Sequence, residues 1–126
     1  TRFRNQGYPI NEDTKALLEG YRLPQLDDFH AVPSGNTYNE KIEKFFNLVK
    51  SLRPGLTEII FHPSVETENL KTITNSWQQR VWEAEMFSDP QVLQFFQDEG
   101  VVFTNWIEVM DRFRTKSGFL SYDSSW

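Results

Sequence analysis

A chain of 126 residues with 38% apolar and 15% aromatic content has the material for one folded domain with a real core. Its formal charge of -5, with no basic run to follow a phosphate backbone, argues against nucleic acid as a partner. The absence of cysteine rules out disulfides and thiolate metal ligands, and leaves cytoplasmic, periplasmic and secreted settings all open.

Residues 12–22, EDTKALLEGYR, read as a short helix closed near Gly20. The following LPQLDDFHAV carries scattered apolar residues that suit a short strand around Phe29 to Val32. Thr37 and Glu40 then form a capping-box pattern ahead of Ile42, Phe45, Phe46, Val49 and Leu52. That spacing predicts a helix of about four turns, stopped by Arg53-Pro54-Gly55. LTEIIF is short, β-branched in its middle and apolar at 59, 60 and 61, as a parallel strand covered on both faces would be.

Beyond the loop HPSVET, Leu70, Ile73, Trp77, Val81 and Ala84 trace one apolar stripe, predicting a single long helix over 68–87. Ser88 or Asp89 caps the next helix, Pro90 suits its first position, and Gly100 stands where a left-handed terminating residue is wanted. VVF at 101–103 reads as a third strand. Asn105 and Glu108 repeat the capping-box pattern before the amphipathic segment Trp106, Ile107, Met110 and Phe113. A loose polar tail is expected from Thr115 to Trp126. The order strand, helix, strand, helix pair, strand, helix is an α/β layout with short parallel strands and covering helices, read as one unit without a linker. Three short strands leave two open sheet edges, so self-association or added strands are expected. No apolar run nears the ~20 residues of a membrane helix. The opening TRFRNQGYPI has no signal-peptide apolar region, so neither a membrane partner nor a targeting segment is expected in this chain.

In parallel α/β proteins functional residues gather at the carboxyl ends of strands, and His62 stands at that end of the best strand. An imidazole there can donate a proton to a leaving group, accept one from water, or ligate a metal. Pro63 fixes the backbone beside it. The plainer alternative is a histidine that caps the strand on a neighbouring carbonyl, and the local pattern leaves both open. His30, near Asp27 and Asp28, completes an imaginable two-histidine, one-carboxylate set. It lacks any short histidine spacing to fix a metal geometry, so a surface role is the expectation. Arg80 and Glu83, one turn apart, read most simply as a solvated pair, with Arg80 alternatively reaching inward to hold a catalytic carboxylate. Trp77, Trp82 and Trp106 can stack on sugar rings, although tryptophans at helical spacing more often belong to a core. No phosphate-binding glycine loop, nucleophile elbow or cysteine nucleophile is present, which disfavours nucleotide-dependent and acyl-enzyme chemistry.

Taken together, PGLTEIIFHPS, SWQQRVWEAEMFSDPQV and GVVFTNWIEVM, with YRLPQLDDF upstream, resemble the C-terminal half of the YdjC-like carbohydrate deacetylase family, which includes chito-oligosaccharide deacetylases. The resemblance implies a partial (β/α)-barrel over residues 1–114, with 115–126 as the tail. It also implies removal of N-acetyl groups from amino-sugar oligosaccharides with one divalent ion, magnesium or zinc. On this likeness His62 matches the His-Pro histidine and Arg80 the arginine of the following helix, so both are catalytic candidates. Trp82 and Trp106 are the substrate-binding candidates. The family's metal-binding aspartate and histidines have no counterpart here, and LDDF at 26–29 lacks the histidine motif that would make it one. The expectation is therefore a chain without a tight metal site, inactive alone, that forms a homodimer or joins an N-terminal half. The alternative is a non-catalytic carbohydrate-binding or protein-interaction domain.

Overall fold

The structure, a computed structural model, describes residues 10–116. They fold as two compact units: residues 27–101, and residues 10–26 together with 102–116. In the second-named unit, α1 (Glu12–Gly20) begins at Asn11, whose Oδ1 accepts the Thr14 N–H at 2.8 Å. Helix α6 (Trp106–Lys116) begins at Asn105, whose Oδ1 accepts the Glu108 N–H at 3.0 Å. α6 runs through Thr115 and Lys116, where a tail was expected. The rest of that expected tail, 117–126, lies outside the described residues.

The larger unit is built on β1 (Asp28–Ala31) and β2 (Thr57–Ile60), paired in parallel with Asp28 opposite Thr57 and Ala31 opposite Ile60. Parallel neighbours need a crossover, supplied here by α2 (Tyr38–Ser51). Its start follows the predicted cap: Thr37 Oγ1 accepts the Glu40 N–H at 3.1 Å, while the Glu40 carboxylate reaches back to the Asn36 N–H at 2.9 Å. Gly55 has φ 145°, which lets the chain turn tightly beside the Asp27 side chain before β2.

Three helices follow: α3 (Glu68–Ile73), α4 (Trp77–Met86) and α5 (Pro90–Asp98). The single long helix expected over 68–87 is thus two. Its break is at Thr74, which leaves helical geometry at φ -147° and ψ 139° while its hydroxyl accepts the Ser76 N–H at 3.1 Å. A β-branched hydroxyl residue followed by Asn75 and Ser76 gives the backbone local bonds that compete with the helix. Ile73, assigned by periodicity to the inner face, is left 78% exposed.

VVF forms no strand. α5 closes with Gly100 at φ 68°, the Val101 N–H donating to the Phe96 carbonyl at 2.9 Å and the Gly100 N–H to Gln97 at 3.1 Å. This Schellman closure commits Val101 to the helix end and the core. The described sheet therefore has two strands, and the fold is mixed α/β with six helices among the described residues.

The core lies between α2, α4, α5 and one side of the sheet, with Ile42, Phe45, Val49, Met86, Val92, Phe95, Phe96 and Val32 buried. Phe45 meets Phe87 and Phe96 edge-on at 5.8 Å each, and Phe46 stacks on Phe95 at 3.8 Å. β2 is only half-buried throughout, not covered on both faces as its apolar run suggests, because the helices cover one side.

Candidate functional site at the carboxyl end of the sheet

The parallel ladder runs from the Asp28 N–H to Leu56 O at 3.2 Å up to the Val32 N–H on Ile60 O at 3.0 Å. Its alternation would next carry the His62 N–H to the Val32 carbonyl. Instead that N–H donates to Glu83 Oε2 on α4 at 2.5 Å. Two residues on, the Ser64 N–H donates to the Arg80 carbonyl at 3.1 Å. The exit of β2 is therefore tied to α4 on both sides of Pro63, and the His62 side chain lies at the exposed surface.

Behind this loop is a buried polar cluster. The Lys41 ammonium, fully buried on α2, donates to Glu83 Oε1 at 3.1 Å, Gln79 Oε1 at 3.1 Å and the Pro33 carbonyl at 2.9 Å. Three donors meet three acceptors, as a buried ammonium requires. Gln79 also bridges the main chain of Gly35, accepting its N–H at 3.2 Å and donating to its carbonyl at 2.7 Å. Both strand exits, at 33–35 and at 62–64, are thus held by side chains of α2 and α4.

Among the candidate residues, His62 and Arg80 are linked only indirectly: Ser64, two residues after His62, donates its N–H to the Arg80 carbonyl, while the His62 N–H goes to Glu83. Arg80 is half-buried and contributes its carbonyl. The solvated Arg80–Glu83 pair is corrected: Glu83 is 6% exposed and its carboxylate is engaged by Lys41 and the His62 N–H. The reason is the helix phase, which puts Gln79, Glu83 and Met86 on one inward face. Trp82 is half-buried on α4. Trp106, 50% exposed, opens α6 and belongs to the other unit.

His30 is half-buried beside Asp28, two residues away on the same face of β1, with Nε2 3.0 Å from Asp28 Oδ2 at ion-pair distance. His30 is the chief influence holding the Asp28 carboxyl below its ordinary range, against the opposing effect of burial. Asp27 Oδ2 accepts the Leu56 N–H at 2.7 Å. Among the described residues no three His, Cys, Asp or Glu side chains gather to hold a metal ion. The residues in hand therefore do not fit the divalent site that the resemblance implies.

Sequence reasoning missed Lys41, Gln79 and Gly35. One signal was available: Lys41 stands four residues before Phe45, on the helix face that also carries Val49, and a lysine there is placed to be buried. Gln79 four residues before Glu83 is the matching signal on α4. Gly35 carried none, since its contact with the Lys41 backbone exists only in the folded chain.

A family model described as YdjC-like protein matches residues 4–98. The chain belongs to the YdjC-like protein family. That span takes in the whole sheet, the His62-Pro63 loop, and α4 with Arg80 and Glu83. The carbohydrate deacetylase of Thermoanaerobacter pseudethanolicus is 33% identical over 66 residues, which is 52% of this chain and 26% of that protein. The match thus spans about a quarter of the relative's length. No solved structure matches.

Proposed function

We propose that this YdjC-like chain supplies part of the active site of a carbohydrate deacetylase acting on N-acetylated amino-sugar oligosaccharides. The observation that carries the reading is the placement of His62. Its imidazole is exposed at the carboxyl end of a parallel strand, on a loop anchored at 62 and 64 to a helix of a family that includes a carbohydrate deacetylase.

In this proposal His62 donates its ring proton to the amine nitrogen as the amide C–N bond breaks. Arg80 fixes the loop through its carbonyl and offers its guanidinium to an anion or the sugar. Trp82 contributes an apolar face to a sugar ring, and Trp106, on the other unit, is a separate candidate for the same kind of contact. The two strands are read as part of a (β/α)-barrel that further strands complete. A divalent ion, magnesium or zinc, is the cofactor the family likeness implies; its ligands lie outside the described residues on this reading, and no step is derived through it here. A partner for the open sheet edges, a second copy or an N-terminal half, follows from the same reading.

The second reading, a carbohydrate-binding or interaction domain, draws on the exposed Val102, Phe103, Trp106 and Ile107. An acetate-release assay on N-acetylated chito-oligosaccharide with added magnesium or zinc tests the first reading. No release by this chain alone is expected. Release unaffected by His62→Ala overturns the role of His62. Any release by this chain alone overturns the claim that the metal ligands lie elsewhere.

A further inference from the structure

We infer that Glu83, held by Lys41, is the positioning residue for His62: its carboxylate ends the β1–β2 ladder and aims the imidazole. The inference rests on the reading of His62 as a site residue and extends it to a residue that touches no substrate. The parallel register assigns the His62 N–H to the Val32 carbonyl, yet it donates to Glu83 Oε2, with N and O 2.5 Å apart. β2 therefore parts from β1 at His62, where the chain turns into Pro63.

A free carboxylate would not define a direction. Here the other oxygen is fixed at 3.1 Å by the Lys41 ammonium, whose remaining protons are spent on Gln79 and the Pro33 carbonyl. Glu83 thus has one oxygen for Lys41 and one for His62, in surroundings where both side chains are at least nine-tenths buried. A charge-assisted bond from a main-chain N–H to a buried carboxylate is stronger than the carbonyl bond it replaces. The Ser64 N–H on the Arg80 carbonyl sets the second point of the loop, so His62 sits between two contacts from one helix. Because the same cluster holds Pro33 and Gly35, the two βα loops at this end of the sheet are set relative to each other by one ion pair.

The test is amide NMR on the isotopically labelled 126-residue chain. A through-hydrogen-bond coupling between the His62 amide nitrogen and the Glu83 carboxyl carbon is expected in the unaltered protein, and its absence overturns the proposal. In Glu83→Ala, exchange of the His62 amide should accelerate by about 10-fold or more. The His62 ring Cε1–H signal should move, and the His62 amide should lose more protection than the core amides of Val49 and Phe96, which fall only by the stability the buried pair supplies. Glu83→Gln, which retains an acceptor, should recover part of both effects, and Glu85→Ala, on the exposed face of α4, should produce neither. A loss of protection at His62 no greater than in the core, or an unmoved His62 ring signal, overturns positioning in favour of plain stabilisation. None of these readouts uses sugar or acetate release. A failure of the deacetylase reading therefore leaves them standing, and their failure leaves that reading to its own assay.

Discussion

Lys41→Met isolates the energetic weight of the buried pair. Methionine keeps most of the lysine stem's volume, so the change removes an ammonium without opening a large cavity. What it leaves is the Glu83 carboxylate, its side chain 8% exposed, with the His62 N–H in place of both partners, and Gln79 and Pro33 oxygens that have lost a donor. Removing one partner of a buried ion pair costs about 3–5 kcal/mol, because the remaining charge is stranded. Against a total stability of about 5–15 kcal/mol this is a large share. For a cooperative unit of this size the melting temperature should fall by more than about 10 °C. Urea denaturation of Lys41→Met, Glu83→Met and the double variant measures the coupling. The double variant should lose clearly less than the sum of the singles, since no stranded charge remains, although the His62 N–H still lacks its acceptor. A loss below about 1 kcal/mol for Lys41→Met, or additive singles, would refute the claim that this pair is formed and dry.

Gly35→Ala should destabilise by about 1–3 kcal/mol, because a Cβ there would stand 2.5 Å from the Lys41 backbone nitrogen; an unchanged urea midpoint would show that the 33–35 loop is free to move. Tyr38→Phe removes a 2.8 Å hydrogen bond from the phenol to Asp89 Oδ2, and burial together with Asp89 pushes that phenol's pKa up. About 1.5–3 kcal/mol should be lost by thermal melting at neutral pH, the size of a hydrogen bond to a charged acceptor. Asp28→Asn reports on acid stability. The Asp28 carboxyl is held below its ordinary range, chiefly by His30, so its contribution is present above the unfolded carboxyl pKa of about 3.9 and is lost as pH falls through the lower folded value. Melts between pH 6 and pH 3 should show a shallower acid limb for Asp28→Asn than for the unaltered chain; identical slopes would remove the His30–Asp28 contact from the account.

Where one local rule decides an element, the sequence showed it. Thr37 with Glu40, Asp89 with Pro90, Gly100, and Asn105 with Glu108 each marked a helix end that the structure places there, and both strands of the sheet lie where the apolar runs put them. The errors came where two local rules compete. The stripe through Leu70, Ile73 and Trp77 favours one helix, and the Thr74 hydroxyl with its polar neighbours wins. VVF has strand composition, but Val101 is taken by the Schellman closure of α5. For the candidate site, the strand-end position of His62 made it visible in a string of letters but left a structural cap equally open, and the family likeness tilted it toward a site role. The Lys41–Glu83 pair was not visible, since a charged side chain on an amphipathic helix reads as solvated until its partner on another helix is known. The short spacing of Arg80 and Glu83 suggested the wrong pairing for the same reason: helical proximity was legible, and the burial that sets Glu83 against Lys41 came from tertiary packing.

The most direct measurement of the central claim is a titration of the labelled chain with an N-acetylglucosamine oligosaccharide, followed at every amide, beside the same titration of His62→Ala. Shifts should gather on 61–64 and 80–83, and the apparent affinity should fall at least severalfold in the variant, as expected when a hydrogen-bonding partner of the sugar is removed. Shifts confined to other surfaces, or an affinity that the variant leaves unchanged, would contradict the assignment of His62 and the carboxyl end of this sheet to a carbohydrate site.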